Sequence, residues 1–308
     1  MNKEWQKLGL IFEPATAGLD WLKTHAQNPI PEHLGEGLYK VYFAARDSDN
    51  RSRGGFFVFD INRPFDLSDY SRQPLIDLGP LGAFDDAGVM PSSLVDHRSD
   101  RYLYYTGWSR TVDVPFAFHI GLVISSDGGR TYERPTLAPA LGRNPHDPYI
   151  TGAPFVLFDE GTFKMWYISG TKWEKESFSS KAKHYYTVKY AESDDGLVWR
   201  TNANLCLPYD ANEYAIARPV VRKLKDRYEM WFTFRGGANT YRLGFATSLD
   251  GREWTRDPTP IRIDVSPSGW DSEMICYGYP FEHDGQSYVL YNGNSYGSTG
   301  VGLAVVKE

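Results

Sequence analysis

Cysteine is nearly absent from this chain. Cys206 and Cys276 are the only two in 308 residues, with no CxxC and no histidine at ligand spacing, so zinc and redox motifs are excluded. Two reduced thiols fit a cytoplasmic protein, and no bridge between them is required. Basic runs are equally scarce. No Lys/Arg run exceeds a pair and the formal net charge is −6, which makes nucleic acid and acidic membrane poor partners. Long apolar runs are missing as well. Nothing approaches the roughly 18 residues of a spanning helix, and MNKEWQKLGLIFEP lacks the apolar stretch of a signal peptide. Helical patterning is confined to GLDWLKTHAQ, where Asp20 is placed to cap a short helix.

What the chain does have is aromatic strand. Aromatic residues reach 15%, concentrated in short runs such as YKVYFAAR, RYLYYTG, FKMWYIS, YEMWFTF and SYVLYNG. Asp-Gly, Glu-Gly and Asn-Gly turns separate them. Four longer stretches repeat one phrase: FDDAGVMPSSLVDHRSDRYLYYTG, HDPYITGAPFVLFDEGTFKMWYISG, NEYAIARPVVRKLKDRYEMWFTFRG and DSEMICYGYPFEHDGQSYVLYNGN. Each opens on acidic residues, reaches a proline, then alternates as strand, turn and strand. The prolines, Pro91, Pro154, Pro219 and Pro280, lie 63, 65 and 61 residues apart. A third strand and an Asp-Gly turn follow in GLVISSDGGRTY, VKYAESDDGLVW and GFATSLDGREW, and an aromatic (Tyr132, Trp199, Trp254) then opens a fourth strand. Asp49, Asp127, Asp195 and Asp250 occupy turn contexts and are read as structural.

Units of about 60 residues with four strands each describe blades of a β-propeller. Counting the degenerate NPIPEHLGEGLYKVYFAARD as the first unit gives an all-β, five-bladed propeller forming one domain over residues 1–308. The last unit lacks a fourth strand, and WQKLGLIF begins with Trp5 as other fourth strands begin with tryptophan. The N-terminal strand is therefore expected to complete the C-terminal blade and close the ring.

In a propeller, residues just before each innermost strand line the mouth of the central channel. Those positions hold His25 and Asn28, then Asp85 and Asp86, then His146 and Asp147, then Glu213 and Arg218, and finally Asp271, Glu273 and Tyr277. Carboxylates crowded around one funnel suit glycoside chemistry, with one protonating the departing oxygen and another serving as base or nucleophile. The expected acid and base groups are Asp86, Asp147, Glu213 and Glu273. His25, Asn28, Asp85, His146, Arg218, Asp271 and Tyr277 are expected to bind substrate, with Trp108, Trp173 and Tyr149 as further stacking surfaces. The oxygen-rich lining would suit Ca²⁺, but no dense Asp-rich loop supports a site, and no cofactor is expected.

The phrases HDPYITGAPFV, YAESDDGLVW, AIARPVV and GWDSEMICYGYPFEHDGQSYVLYNGN resemble the five-bladed propellers of glycoside hydrolase families 43, 32, 62, 68 and 130. They are closest to an uncharacterised branch linked with bacterial polysaccharide loci. The resemblance covers nearly the whole chain. It implies Asp, Asp and Glu on three successive blades as base, pKa modulator and acid. Asp86, Asp147 and Glu213 match that order one blade late. The first blade, where family 43 carries its base, offers only His25, Gln27 and Asn28, and neither NDPNG nor RDP occurs. A glycoside hydrolase acting on carbohydrate is the expectation. A phosphorylase or glycosyltransferase acting on an activated sugar is the rival within the enzyme class, and a non-catalytic sugar-binding propeller the rival outside it.

Overall fold

In a computed structural model, residues 4–175, 177, 180, 182–210, 212–237, 239–258, 261 and 263–307 are described. The chain is nearly all β. After β1 (Trp5–Phe12), a first antiparallel meander runs through β2 (Thr24–Gly35), β3 (Leu38–Arg46), β4 (Ser52–Asp60) and β5 (Arg63–Tyr70). A second holds β6 (Gly88–His97), β7 (Asp100–Arg110) and β8 (Phe116–Ser125), extended by a bridge from Ile124 to Glu133. The third holds β9 (Thr151–Asp159), β10 (Thr162–Glu174), β11 (Lys183–Ser193) and β12 (Arg200–Leu205). The fourth holds β13 (Glu213–Lys223), β14 (Tyr228–Gly236), β15 (Asn239–Ser248) and β16 (Thr255–Arg256). The last holds β17 (Cys276–His283), β18 (Gln286–Asn292) and β19 (Val301–Val306).

The edge of the last meander is covered by β1, which pairs antiparallel with β19 from Trp5 opposite Val306 to Phe12 opposite Val301. One apolar core joins both ends of the chain, packing Ile11 and Phe12 with Phe43, Phe57, Leu290 and Leu303. The opening strands also meet in sequence: β2 touches β6, β6 touches β9, β9 touches β13, β13 touches β17, and β17 touches β2.

Each opening strand is broken by a bulge at its proline. Asn28, Ala153, Arg218 and Tyr277 adopt φ of 58°, 43°, 53° and 55°, and the ladders slip at those points. Side chains rarely accept this left-handed backbone, which costs on the order of 1 kcal/mol or more per residue. The neighbouring meander offsets the cost. The amide of Ala153 donates to Thr106 Oγ1 (2.7 Å), that of Tyr277 to Thr233 Oγ1 (2.9 Å), and that of Asn28 to Asn292 Oδ1 (3.1 Å). The bulges also correct the repeat's phase. Pro29, Pro154, Pro219 and Gly278 follow the bulged residue, so Pro31 and Pro280 lie three positions beyond it.

The segment GLDWLKTHAQ is not helical. Leu19 bridges to Leu22 and β2 begins at Thr24. The adjacent Trp21 and Leu22 are both buried, with Trp21 Nε1 donating to the Arg72 carbonyl. A tight turn buries both, whereas one helix face would bury only one. Asp20 sits exposed, paired with Lys23.

The Asp-Gly turns share one design. Ser125, Ser193 and Ser248 each donate to an aspartate two residues on, Asp127, Asp195 and Asp250, whose carboxylates accept following amides. Backbone and hydroxyl bonds from Thr131 hold Asp127 far below the usual carboxylate range.

Candidate functional site

The acidic openings of the meanders converge on a shared packing device. Asp85 accepts Tyr105 Oη at 2.9 Å and the Arg134 guanidinium at 2.8 Å. Asp147 accepts Tyr167 Oη at 3.0 Å and Lys189 Nζ at 3.2 Å. Asp271 accepts Tyr291 Oη at 3.1 Å and Lys7 Nζ at 2.7 Å. In each case the tyrosine lies 20 residues after the aspartate. The base comes from β1, from β11, or from just beyond β8. Side-chain exposure of the three aspartates is 1%, 0% and 3%. A buried carboxylate with a cation and a hydroxyl satisfies the polar requirement of burial.

The fourth meander varies the device. Phe232 takes the tyrosine's place, and Glu213, 8% exposed, is held bidentately by Arg256 at 2.7 and 2.9 Å. The guanidinium lies 5.0 Å from the Phe232 ring centroid.

These contacts correct part of the expected site. Asp147 and Glu213, expected as reacting groups, and Asp85 and Asp271, expected to bind substrate, are enclosed in ion pairs that tie inner to outer strands. Arg218 does not pair with Glu213. Its side chain is buried among three meanders, donating to the carbonyls of Ser92, Asn28 and Pro29, with Tyr279 6.0 Å away. Burial without a counter-anion lowers its pKa to about 10. It locks the bulges together, as does buried Asn28. His146 is exposed, and its carbonyl accepts Lys189.

Two expected carboxylates are free of ion pairs among the described residues. Asp86 is half-buried and accepts the Gly82 amide at 3.0 Å. The neighbouring Ala87 packs with Met90 and Trp108. Glu273 is exposed, its amide bound to Asn294 Oδ1 and its carbonyl accepting Thr240. Met274, next to it, enters an aromatic cluster with Tyr186, Tyr241, Tyr277 and Tyr296.

That cluster lies at the end where opening strands begin and second strands finish, where the sequence places the expected funnel. Arg235, at the end of β14, lies 4.8 Å from the Tyr241 centroid and 5.0 Å from that of Tyr214. It donates to Tyr296 Oη at 3.3 Å, and its other terminal nitrogen is 3.3 Å from His184 Nε2. Its buried Nε has no partner. Burial opposes its charge, but Tyr186, Tyr241, Tyr214 and Tyr296 outweigh that and raise its pKa. Arg46, at the end of β3, binds Gln27 Oε1 (3.2 Å) and Asn50 Oδ1 (2.9 Å), and feels Tyr277 and Tyr296. No carboxylate among the described residues pairs with either arginine.

Two histidines complete the lining. Burial, and then Arg46, lower His25 to about 3; burial, and then Arg235, lower His184 to about 4. Both are neutral at pH 7. Trp173 and Phe116 pack edge-on against each other with His184 beside them. Ser295 and Tyr296 overhang the funnel with φ of 51° and 62°, in a turn that holds its side chains by strain. Trp108 is buried with Nε1 on Ser52 Oγ, and Tyr149 is exposed.

The arginines occupy one repeat position that was legible but missed. Each stands three residues after the aromatic of its second strand, Phe43 for Arg46 and Phe232 for Arg235. A cavity of about 410 Å³ at the opposite end is lined by Phe155, Val221, Trp231 and Tyr279, but its charged groups are mutually paired. Among the described residues no group of three or more His, Cys, Asp or Glu is arranged to hold a metal ion. Among the described residues no helix is long and apolar enough to cross a membrane.

No protein-family model matches the chain. The uncharacterized proteins MT1551 and Rv1502, from two Mycobacterium tuberculosis strains, are each 38% identical to it over 305 residues, covering 99% of both chains. Among solved structures, a glycoside hydrolase superposes with a TM-score of 0.78 at 16% identity, covering 99% of this chain and 92% of that one. A thermostable family-43 glycoside hydrolase superposes with a TM-score of 0.66 at 16% identity, covering 91% and 88%. The chain shares its fold with these solved glycoside hydrolases and belongs to the family of the mycobacterial proteins.

Proposed function

We propose that the protein is a carbohydrate-active enzyme, a glycoside hydrolase, working at the aromatic funnel. In this reading the five meanders are blades of one domain, and the β1–β19 pairing closes the ring. Asp86 and Glu273 act as the acid and base pair at the rim, and the funnel aromatics, with Tyr277, face the sugar. One carboxyl protonates the departing oxygen while the other activates water or attacks the anomeric carbon. The observation that carries the reading is that, among the expected catalytic residues, only the side-chain carboxylates of Asp86 and Glu273 have no described cation bound to them, Arg242 reaching the Glu273 backbone carbonyl alone.

A panel of aryl glycosides tests it. Asp86→Asn and Glu273→Gln should each lower turnover by roughly 10²–10⁴-fold with unchanged folding. Full activity in both variants would refute the assignment. A second reading, phosphorolysis or transfer on an activated sugar, is favoured by the arginine and histidine lining. It requires turnover that depends on inorganic phosphate or on a sugar phosphate donor.

A further inference from the structure

The funnel's charge runs against that of the whole chain. The formal net charge is −6, yet Arg46, bound to Gln27 and Asn50, and Arg235, bound to Tyr296, have no carboxylate partner among the described residues. Elsewhere several arginines carry carboxylate partners, Arg53, Arg101, Arg134 and Arg256 among them, whereas the buried Arg218 is held, among the described residues, by backbone carbonyls alone. A guanidinium held partly buried without an anion is costly, because its donors lose water and gain only weak acceptors. Arg235 has five N–H groups. The described contacts engage its two terminal nitrogens, with a tyrosine hydroxyl and a neutral imidazole, and leave the buried Nε without an acceptor.

We propose that the funnel recognises a sugar bearing an oxyanion, whether phosphate, sulfate or carboxylate. Arg235 binds the anion through its remaining terminal N–H donors, Arg46 lies on the other side of Tyr296, and the half-buried Tyr277 and Tyr296 pack against the sugar, backed by the buried Tyr186 and Tyr241. The geometry matches the chemistry of such a ligand. A planar fork suits a two-oxygen anion, and aromatic faces suit the apolar side of a pyranose. The two arginines come from the first and fourth meanders, while Tyr277 and Tyr296 belong to the fifth, which packs against both. The three meanders thus build one half of the funnel around an anion site.

This inference rests on the funnel being the carbohydrate site, but binding tests it without turnover. Calorimetry should compare glucose 6-phosphate, glucose 6-sulfate, glucuronate, glucose and inorganic phosphate on the full chain. At least one anionic sugar should bind about tenfold or more tightly than glucose and than inorganic phosphate, with affinity falling as salt rises. Arg235→Gln and, separately, Arg46→Gln should each weaken that ligand by about tenfold or more, and weaken glucose by a smaller factor. Arg235→Lys, which keeps the charge, should recover only part of the loss. Equal binding of glucose and all three anionic sugars overturns the proposal, as does inorganic phosphate binding as tightly as the best of them. Anionic-sugar binding with no turnover of any glycoside would instead count against the hydrolase reading alone. Turnover of neutral glycosides with no anion preference would count against this inference alone.

Discussion

The meanders are of two kinds, and the difference separates those tied by a buried aspartate, a tyrosine and a base from those that carry an arginine at the proposed site. The second, third and fifth carry a tyrosine on the inner pair, Tyr105, Tyr167 and Tyr291, each bound to a buried aspartate with a base alongside. The first and fourth carry phenylalanine there, Phe43 and Phe232, and place an arginine three residues on, at the funnel. Where acid, hydroxyl and base meet, charge is balanced and the strands are tied together. At the arginine position, which in the fourth meander stands beside the Glu213–Arg256 pair, a partly buried guanidinium is left without a carboxylate among the described residues. The acidic openings shared by the repeat are therefore mostly architecture.

Breaking a balanced cluster should have the largest effect. Asp147→Ala leaves Lys189, whose side chain is 5% exposed, buried without its anion. The expected loss is about 3–5 kcal/mol in urea unfolding. A catalytic Asp147 would instead show lost activity at unchanged stability. Removing only the hydroxyl is milder: Tyr167→Phe or Tyr291→Phe should cost about 1–2 kcal/mol, whereas Phe43→Leu, in a meander without the device, loses packing alone.

The funnel should respond to pH in a way the balanced clusters do not. His25 and His184 have folded pKa values lowered to about 3 and about 4 from an ordinary 6.5. Below pH 6.5 the unfolded chain binds protons that the folded chain refuses, so stability falls as pH drops from 6.5 toward 4 and is flat above it. The double variant His25→Asn, His184→Asn should flatten that fall in thermal unfolding. An unchanged slope would remove both histidines from the account.

Much of the fold was legible because its signals are local. Alternating aromatics, Asp-Gly turns and the phase of Trp5 pointed to strand meanders and to the β1–β19 pairing, and the serine–aspartate turns follow the same pattern. Trp21 and Leu22 were misread because their burial depends on distant strands. The site was less legible for a related reason. The spacing of 20 residues from Asp85 to Tyr105 is visible in sequence, but the base beside Asp271 is Lys7, 264 residues away. Without that partner a buried structural aspartate and a catalytic one look alike. No acidic motif accompanies Arg46 or Arg235, whose RGG reads in sequence as a loop, and the clue to both is the exchange of tyrosine for phenylalanine three residues earlier.

The most direct test measures the thermal shift produced by the best-binding anionic sugar in Tyr167→Phe and Arg235→Gln side by side. Tyr167→Phe should melt lower than the wild type yet keep the full ligand-induced shift. Arg235→Gln should melt at the wild-type temperature or above it and lose most of that shift. A reversed pattern, with Tyr167→Phe losing the shift and Arg235→Gln losing only stability, would contradict the division between scaffold and site.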